Sequence, residues 1–226
     1  MMRVQCRDRW LNVDFKEPQH CLSWAVVGGG NTISTSVVWH QVQNQDLLPG
    51  EDPAELFSRR HLERGGTLPT VGLLTSAKID NYALVKQRRG GLEVQCLATV
   101  GMGNALRIGD HPSRGRSFGT INILLATSLP LSAMARVEAV SMVSEARTVA
   151  VLKHQLLSPI SLQPATGTGT DCVVVAHPLI GRELEYCGKH TQVGHLLGEA
   201  VIAAVDQGIE KWKTRRNESP HWMVRS

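Results

Sequence analysis

Cysteine is scarce. The five residues Cys6, Cys21, Cys96, Cys172 and Cys187 are odd in number and form no Cys-x-x-Cys pair. This argues against a zinc ribbon and against a secreted disulfide framework, and points to buried, reduced thiols. An excess of one charge is also missing. Lys+Arg is 24 and Asp+Glu is 20, a net charge of +4 over 226 residues. Such a weak and scattered bias argues against a nucleic-acid partner. Only Lys211, Lys213, Arg215 and Arg216 are locally basic, as suits the C-terminal end of a helix. No stretch reads as a membrane span. The most tempting uncharged run, Ser117 to Ala135, holds Asn122, Pro130 and several hydroxyl residues, which a bilayer core disfavours. A basic-then-apolar leader is not visible, because Arg7, Asp8 and Arg9 interrupt the start. Internal repeats and low-complexity segments are missing too. The expectation is a cytoplasmic protein with no membrane span.

Hydrophobic residues make up 42% and charged residues 19%, a globular balance. A chain of this length buries roughly 70% of its unfolded surface, so it needs no disulfide or metal staples. The first 18 residues are polar and aperiodic and read as an arm; residues 19–214 read as one domain and 215–226 as a tail. The apolar run Leu22 to Val27 stops at Gly28-Gly29-Gly30, and Ile33 to Val42 is rich in β-formers. Asp52-Pro53-Ala54-Glu55 is a helix start, with an acidic cap, Pro in the first turn and a Glu three residues on. Gly65-Gly66 stops that helix. Val71 to Ala77 reads as a strand. Tyr82 to Arg88 and Leu92 to Val100 flank the hairpin signal Gly90-Gly91. Ile121 to Ala126 and Val173 to Ala176 read as central strands. Ala133 to His154 and Thr191 to Lys213 read as helices, the second with Val193, Leu197, Val201, Ala204, Val205 and Trp212 on one stripe. The expected class is α+β, layered: a mixed β-sheet with helices packed on it in a single domain.

Familiar motifs fail on spacing. Gly101-Met102-Gly103-Asn104 starts like a dinucleotide fingerprint but lacks the third glycine. Gly188-Lys189-His190 resembles the end of a phosphate loop, yet Glu183 stands where the earlier glycine belongs. No His-Glu-x-x-His occurs. His195 and Glu199, one helical turn apart, suit a solvated face better than a metal, and no metal site is assigned. The segment Ala165-Thr166-Gly167-Thr168-Gly169-Thr170-Asp171 offers hydroxyls and amides in a small space. It reads equally as an oxyanion cradle and as a flexible soluble loop.

Several blocks occur in order: Val71 to Ala77, Ala98 to Gly101, Asn104 to Asp110, Gly119 to Ile123, Glu145 to Thr148, Ala165 to Asp171 and Tyr186 to Thr191. Together they resemble the adenosylcobinamide amidohydrolase family over about residues 20–210. The resemblance implies hydrolysis of the amide joining aminopropanol to the corrin ring of adenosylcobinamide. The products are adenosylcobyric acid and aminopropanol, and the role is corrinoid salvage. The implied partner is a small-molecule corrinoid, no further cofactor is required, and homo-oligomer formation is left open.

Amide hydrolysis needs a base or nucleophile, donors for the oxyanion and an acid for the leaving amine. On this resemblance Asp171 or Glu145 activates water and His190 passes the proton to the amine. Asn104, Thr120, Asn122, Thr166, Gly167, Thr168, Gly169, Thr170 and Thr191 bind the substrate, and the N–H groups of residues 167–170 hold the oxyanion. Simpler roles stay open: an Asx turn for Asp171, a place beside a cap for His190, a charge partner such as Arg147 for Glu145, and strand registry for Asn122. Thr120, a threonine of the 166–170 loop, Cys172 or Cys187 as a covalent nucleophile is a second mechanism. A non-catalytic corrinoid carrier is the competing function. Trp10, Trp24, Trp39, Trp212 and Trp222 are expected to pack in the core or on the surface.

Overall fold

The arm expected over the first 18 residues is a pair of strands in the main sheet. The computed structural model describes residues 2–47, 50–112 and 118–218. Strand β1 (Met2–Arg7) pairs antiparallel with β2 (Trp10–Ser23) through a tight turn at Asp8 and Arg9. Both turn residues have positive φ, as the favoured two-residue hairpin turn requires. In β2, Trp10, Leu11 and Val13 enter the core, while Lys16, Glu17 and Pro18 are exposed where the register against β3 shifts between Asp14 and Gln19. That irregularity explains why the segment reads as aperiodic: a β-bulge breaks the alternation that marks a strand. At the other end the last helix continues to residue 218, past the boundary expected at 214, and residues 219–226 lie outside the described residues.

The other strands are β3 (Gly30–Gln41), β4 (Val71–Thr75), β5 (Ala83–Arg89), β6 (Leu92–Val100), β7 (Ala105–Leu106), β8 (Ile121–Thr127), β9 (Gly167–Thr168) and β10 (Cys172–Pro178). The helices are α1 (Pro53–Glu63), α2 (Ala133–Lys153) and α3 (Gln192–Glu218). The main sheet has eight strands in the order β4-β3-β2-β10-β8-β6-β5, with β1 paired to β2. β8 and β10 are parallel, as are β3 and β4; the remaining pairs are antiparallel. The mixed sheet in one α+β domain is as the sequence predicts.

Alternation assigns each strand residue to a face. Val94, Cys96, Ala98, Val100, Ile121, Ile123, Leu125, Val173 and Val175 pack against α2 and α3. Leu97, Leu124, Ala126, Cys172 and Val174 turn the other way, onto Leu11, Val13, Val37, Trp39 and Leu73. The central strands are therefore buried on both faces, which is why Ile121 to Ala126 reads as a near-continuous apolar run. The open sheet also curls. Three strands separate β4 from β8, yet the Asn122 side-chain amide donates to the Leu74 carbonyl at 2.9 Å. No helix among the described residues is long and apolar enough to cross a membrane.

Below α1, Arg9 and Arg60 both reach the Asp46 carboxylate, and His40 stacks on Trp10 with ring centroids 4.0 Å apart. Burial pushes His40 down to about 4, with Arg60 and Arg9 adding to it against the Arg9 carbonyl and Asp46. Burial also lowers His20, His61 and His177. A histidine held neutral when folded takes up its proton only on unfolding, so its stabilising contribution is present above its unfolded value of 6.5 and is lost as pH falls toward the folded value. Thermal melts are therefore expected to show the melting temperature falling steadily from about pH 7 to about pH 4. A profile that stays flat over this window contradicts the account.

Candidate active site

A cleft of about 640 Å³ opens where β8 and β10 begin and β4 ends. Its lining includes Trp24, Leu74, Thr75 and Ser76 from one side, and Asn104, Phe118, Gly119, Thr120 and Asn122 from the other. Gly169, Thr170, Asp171 and Cys172 close it. Asn104, Thr120, Asn122, Gly169 and Thr170, all expected to bind substrate, are thus brought together. A close backbone approach sets this geometry: a Cβ on Gly119 would collide with the Gly101 carbonyl oxygen and the backbone nitrogens of Gly103 and Asn104. Only glycine lets the two chain segments meet there.

The Gly/Thr loop is ordered, not flexible. Gly167 and Thr168 form β9 against β7, and the Thr166 N–H donates to Leu106 O at 2.9 Å. Thr166 Oγ1 accepts the Ile108 N–H at 2.8 Å, and its carbonyl accepts the Thr148 hydroxyl at 3.2 Å. The Gly169 N–H goes to Asn104 O at 3.3 Å, and the Thr168 N–H goes to Asp171 Oδ2 at 3.0 Å. Two of the amides expected to hold an oxyanion are therefore already engaged within the loop.

Asp171 organises this arrangement. Its Oδ1 accepts the Ile121 N–H at 3.0 Å and the Thr168 hydroxyl; its Oδ2 accepts the Thr168 N–H and lies 3.1 Å from Arg147 Nη1. Its side chain is 7% exposed. Strand parity places it with Val173 and Val175, toward the helix layer and Arg147, while Cys172 faces the other way. Burial lifts the Asp171 carboxyl above its ordinary value, against the pull of Arg147 and the donors from Thr168 and Ile121. The Asx role is thus realised: the carboxylate is filled by loop donors and a guanidinium.

Thr120 and Asn122 face the curled inner side. The Thr120 hydroxyl has two acceptors, Thr170 O at 2.8 Å and Asn122 Oδ1 at 3.1 Å. Asn122, only 1% exposed, ties β8 to β4 through Leu74 O, so registry is one role it holds. Thr99 stands directly opposite it on β6, fully buried, with its hydroxyl unpartnered. Cys172 lines the cleft, but burial pushes its thiol up to about 12, far from an activated nucleophile. Cys187 is pushed up to about 12 by burial as well.

The other expected residues lie on the helix layer. Thr191 caps α3: its Oγ1 accepts the Gly194 N–H at 3.0 Å and donates to Gly188 O at 2.8 Å. His190 is exposed beside that cap, its ring 6.3 Å from Tyr186. Glu145 pairs at 2.6 Å with Lys189, not with Arg147. Residues 145 and 147 are two apart on α2 and face different ways. Neither His190 nor Glu145 lines the described cleft. His195 and Glu199 are 3.5 Å apart and half exposed, and among the described residues no group of three His, Cys, Asp or Glu could hold a metal ion. The sequence reading missed Thr75, Ser76 and Phe118 as lining residues. Thr75 and Ser76 fall within one of the resemblance blocks, and Phe118 directly precedes another; that placement was the available signal.

Comparison with known proteins gives a family. The family described as adenosylcobinamide amidohydrolase matches residues 1–217. An uncharacterized protein of Methanocaldococcus jannaschii is 30% identical over 159 residues, 62% of each chain. The match thus spans less than two thirds of that relative's length. A protein of Methanosarcina mazei named adenosylcobinamide amidohydrolase is 26% identical over 169 residues, 70% of this chain and 75% of its own. A solved protein of Pyrococcus horikoshii aligns over 93% of this chain and 82% of its own, with a TM-score of 0.43 and 11% identity.

Proposed function

Because the chain belongs to the adenosylcobinamide amidohydrolase family, we propose that it hydrolyses the aminopropanol amide of adenosylcobinamide, releasing adenosylcobyric acid and aminopropanol for corrinoid salvage. The observation that carries this reading is the cleft's make-up. Neutral hydroxyl and amide groups from Asn104, Thr120, Asn122 and Thr170 stand beside apolar surface from Trp24, Leu74 and Phe118. A flat ring edged with primary amides asks for that combination, and a pocket of this volume falls in the range that takes small molecules. It accommodates one edge of the ring and its amide arm.

In this reading Asn104 and Thr170 hold substrate amides at the mouth. The Thr120 hydroxyl swings from its present acceptors to the oxygen of the scissile amide, on which negative charge develops. Asp171 is a positioning residue, fixing the 166–170 loop on which the cleft depends. Five unpaired thiols, four of them buried, suit a reducing compartment such as the cytoplasm.

One observation favours a second reading, a non-catalytic corrinoid carrier. Among the described lining residues the titratable groups are Asp171, turned toward Arg147, and Cys172, whose thiol is pushed up to about 12. Incubation with adenosylcobinamide separates the two readings. Stoichiometric and then catalytic release of aminopropanol supports hydrolysis. Ring binding that persists without release supports the carrier.

A further inference from the structure

We infer that Trp24 is the stacking platform for the flat face of the corrin ring, an inference that rests on the corrinoid reading above. Among the described residues the other tryptophans pack inward. Trp10 is 8% exposed, Trp39 is fully buried and Trp212 packs against the helix-side core, while Trp222 lies outside the described residues. Trp24 is 48% exposed, and it is exposed at the cleft. An indole left in water on a monomer's surface is unremarkable alone. Here a second observation fixes it: the Trp24 indole N–H donates to the Asp171 backbone carbonyl at 2.7 Å.

That bond uses the indole's one donor and holds the ring by an edge, leaving its surroundings in the cleft without a polar demand of their own. Asp171 is itself locked by Ile121, Thr168 and Arg147. The platform is therefore anchored through the loop to α2, and its rotamer freedom is restricted before any ligand arrives. Little ordering cost remains at binding, which raises affinity for a rigid planar partner. Val26 and Phe118, 41% and 56% exposed, extend the apolar surface within the same cleft. Such a surface recognises a large conjugated plane through burial and stacking, and it is indifferent to which amide arm the ring carries. Trp24 is accordingly a determinant of ring affinity, not of the chemical step.

The test uses the full chain as wild type, Trp24→Ala and Trp24→Phe. Cobyric acid, which has the ring but no aminopropanol amide, is the binding probe, followed by ultrafiltration and absorbance. Aminopropanol release from adenosylcobinamide is measured separately. Trp24→Ala is expected to weaken cobyric acid binding and raise KM about tenfold, equivalent to about 1.4 kcal/mol, while kcat stays within about threefold. Trp24→Phe keeps an aromatic face but not the N–H, so recovery of most of the affinity assigns the effect to stacking and not to a loosened Asp171 loop. Unchanged ring binding in Trp24→Ala overturns the platform even if the wild type hydrolyses its substrate. Ring binding by the wild type without aminopropanol release, lost in Trp24→Ala, keeps the platform and overturns hydrolysis. Failure of the wild type to bind the ring overturns both.

Discussion

Asp171→Ala is expected to lower the unfolding free energy by about 3–5 kcal/mol, because it leaves the largely buried Arg147 guanidinium without its partner. The loss has further sources. The Ile121 and Thr168 N–H groups lose their acceptor, and each buried orphan donor adds its own penalty. Asp171→Asn keeps the shape and one acceptor oxygen, so it costs less. Arg147→Met in the Asp171→Ala background recovers part of the loss by removing the uncompensated charge. Urea unfolding of the four proteins measures this. The pattern separates positioning from catalysis. If Asp171 is a base acting directly on water, Asp171→Asn abolishes turnover while stability hardly changes. If it orders the loop, stability and turnover fall together, in proportion to the disorder introduced.

The second large effect is kinetic. Thr120→Val preserves shape and removes the hydroxyl assigned to the developing oxyanion. Its kcat is expected to fall about 100-fold, the lower end of the cost of deleting such a donor. KM changes little, since the interaction strengthens only in the transition state. Thr120→Ser retains the hydroxyl and is expected to keep most of the rate. The freed Thr170 carbonyl and the Asn122 oxygen make the valine variant somewhat less stable, so both variants are compared at a temperature where each is fully folded. Equal kcat for the wild type and Thr120→Val removes Thr120 from the chemistry.

The parts of the fold that the sequence discloses are those whose signal is local and periodic. Ile121 to Ala126 is apolar at every position but Asn122 because both faces of β8 are covered, and the α3 stripe of Val193, Leu197, Val201 and Ala204 is the face laid on the sheet. Asp52-Pro53 starts α1 as read, with the Asp52 carboxylate accepting the Ala54 N–H at 2.7 Å. Strand β2 hides because a bulge at Lys16-Glu17-Pro18 resets its alternation halfway. A hairpin turn built from Asp8 and Arg9 instead of glycine gives no composition signal.

The candidate site divides along the same line. Asn104, Thr120, Asn122 and the Gly/Thr loop meet because they sit at neighbouring strand ends, and strand ends can be read from the chain. The direction in which Asp171 points cannot. It follows from the register of β10, which is set by pairing with β2 and β8. Glu145 and His190 stand in blocks as distinctive as the loop, yet proximity in a motif order is not proximity in space. α2 presents Arg147 to the loop, while Glu145 is exposed and pairs with Lys189. Trp24 is legible only as one of five tryptophans. Its exposure is a tertiary property, decided by the loop carbonyl that captures its indole N–H.

The central claim is that the cleft at the start of β8 and β10 hydrolyses adenosylcobinamide. Its most direct test is aminopropanol release from adenosylcobinamide by the wild type, Thr120→Val and His190→Ala, run side by side on folded proteins. The account predicts release by the wild type and by His190→Ala at similar rates, with Thr120→Val about 100-fold slower. No release by the wild type, or release abolished in His190→Ala and untouched in Thr120→Val, contradicts it.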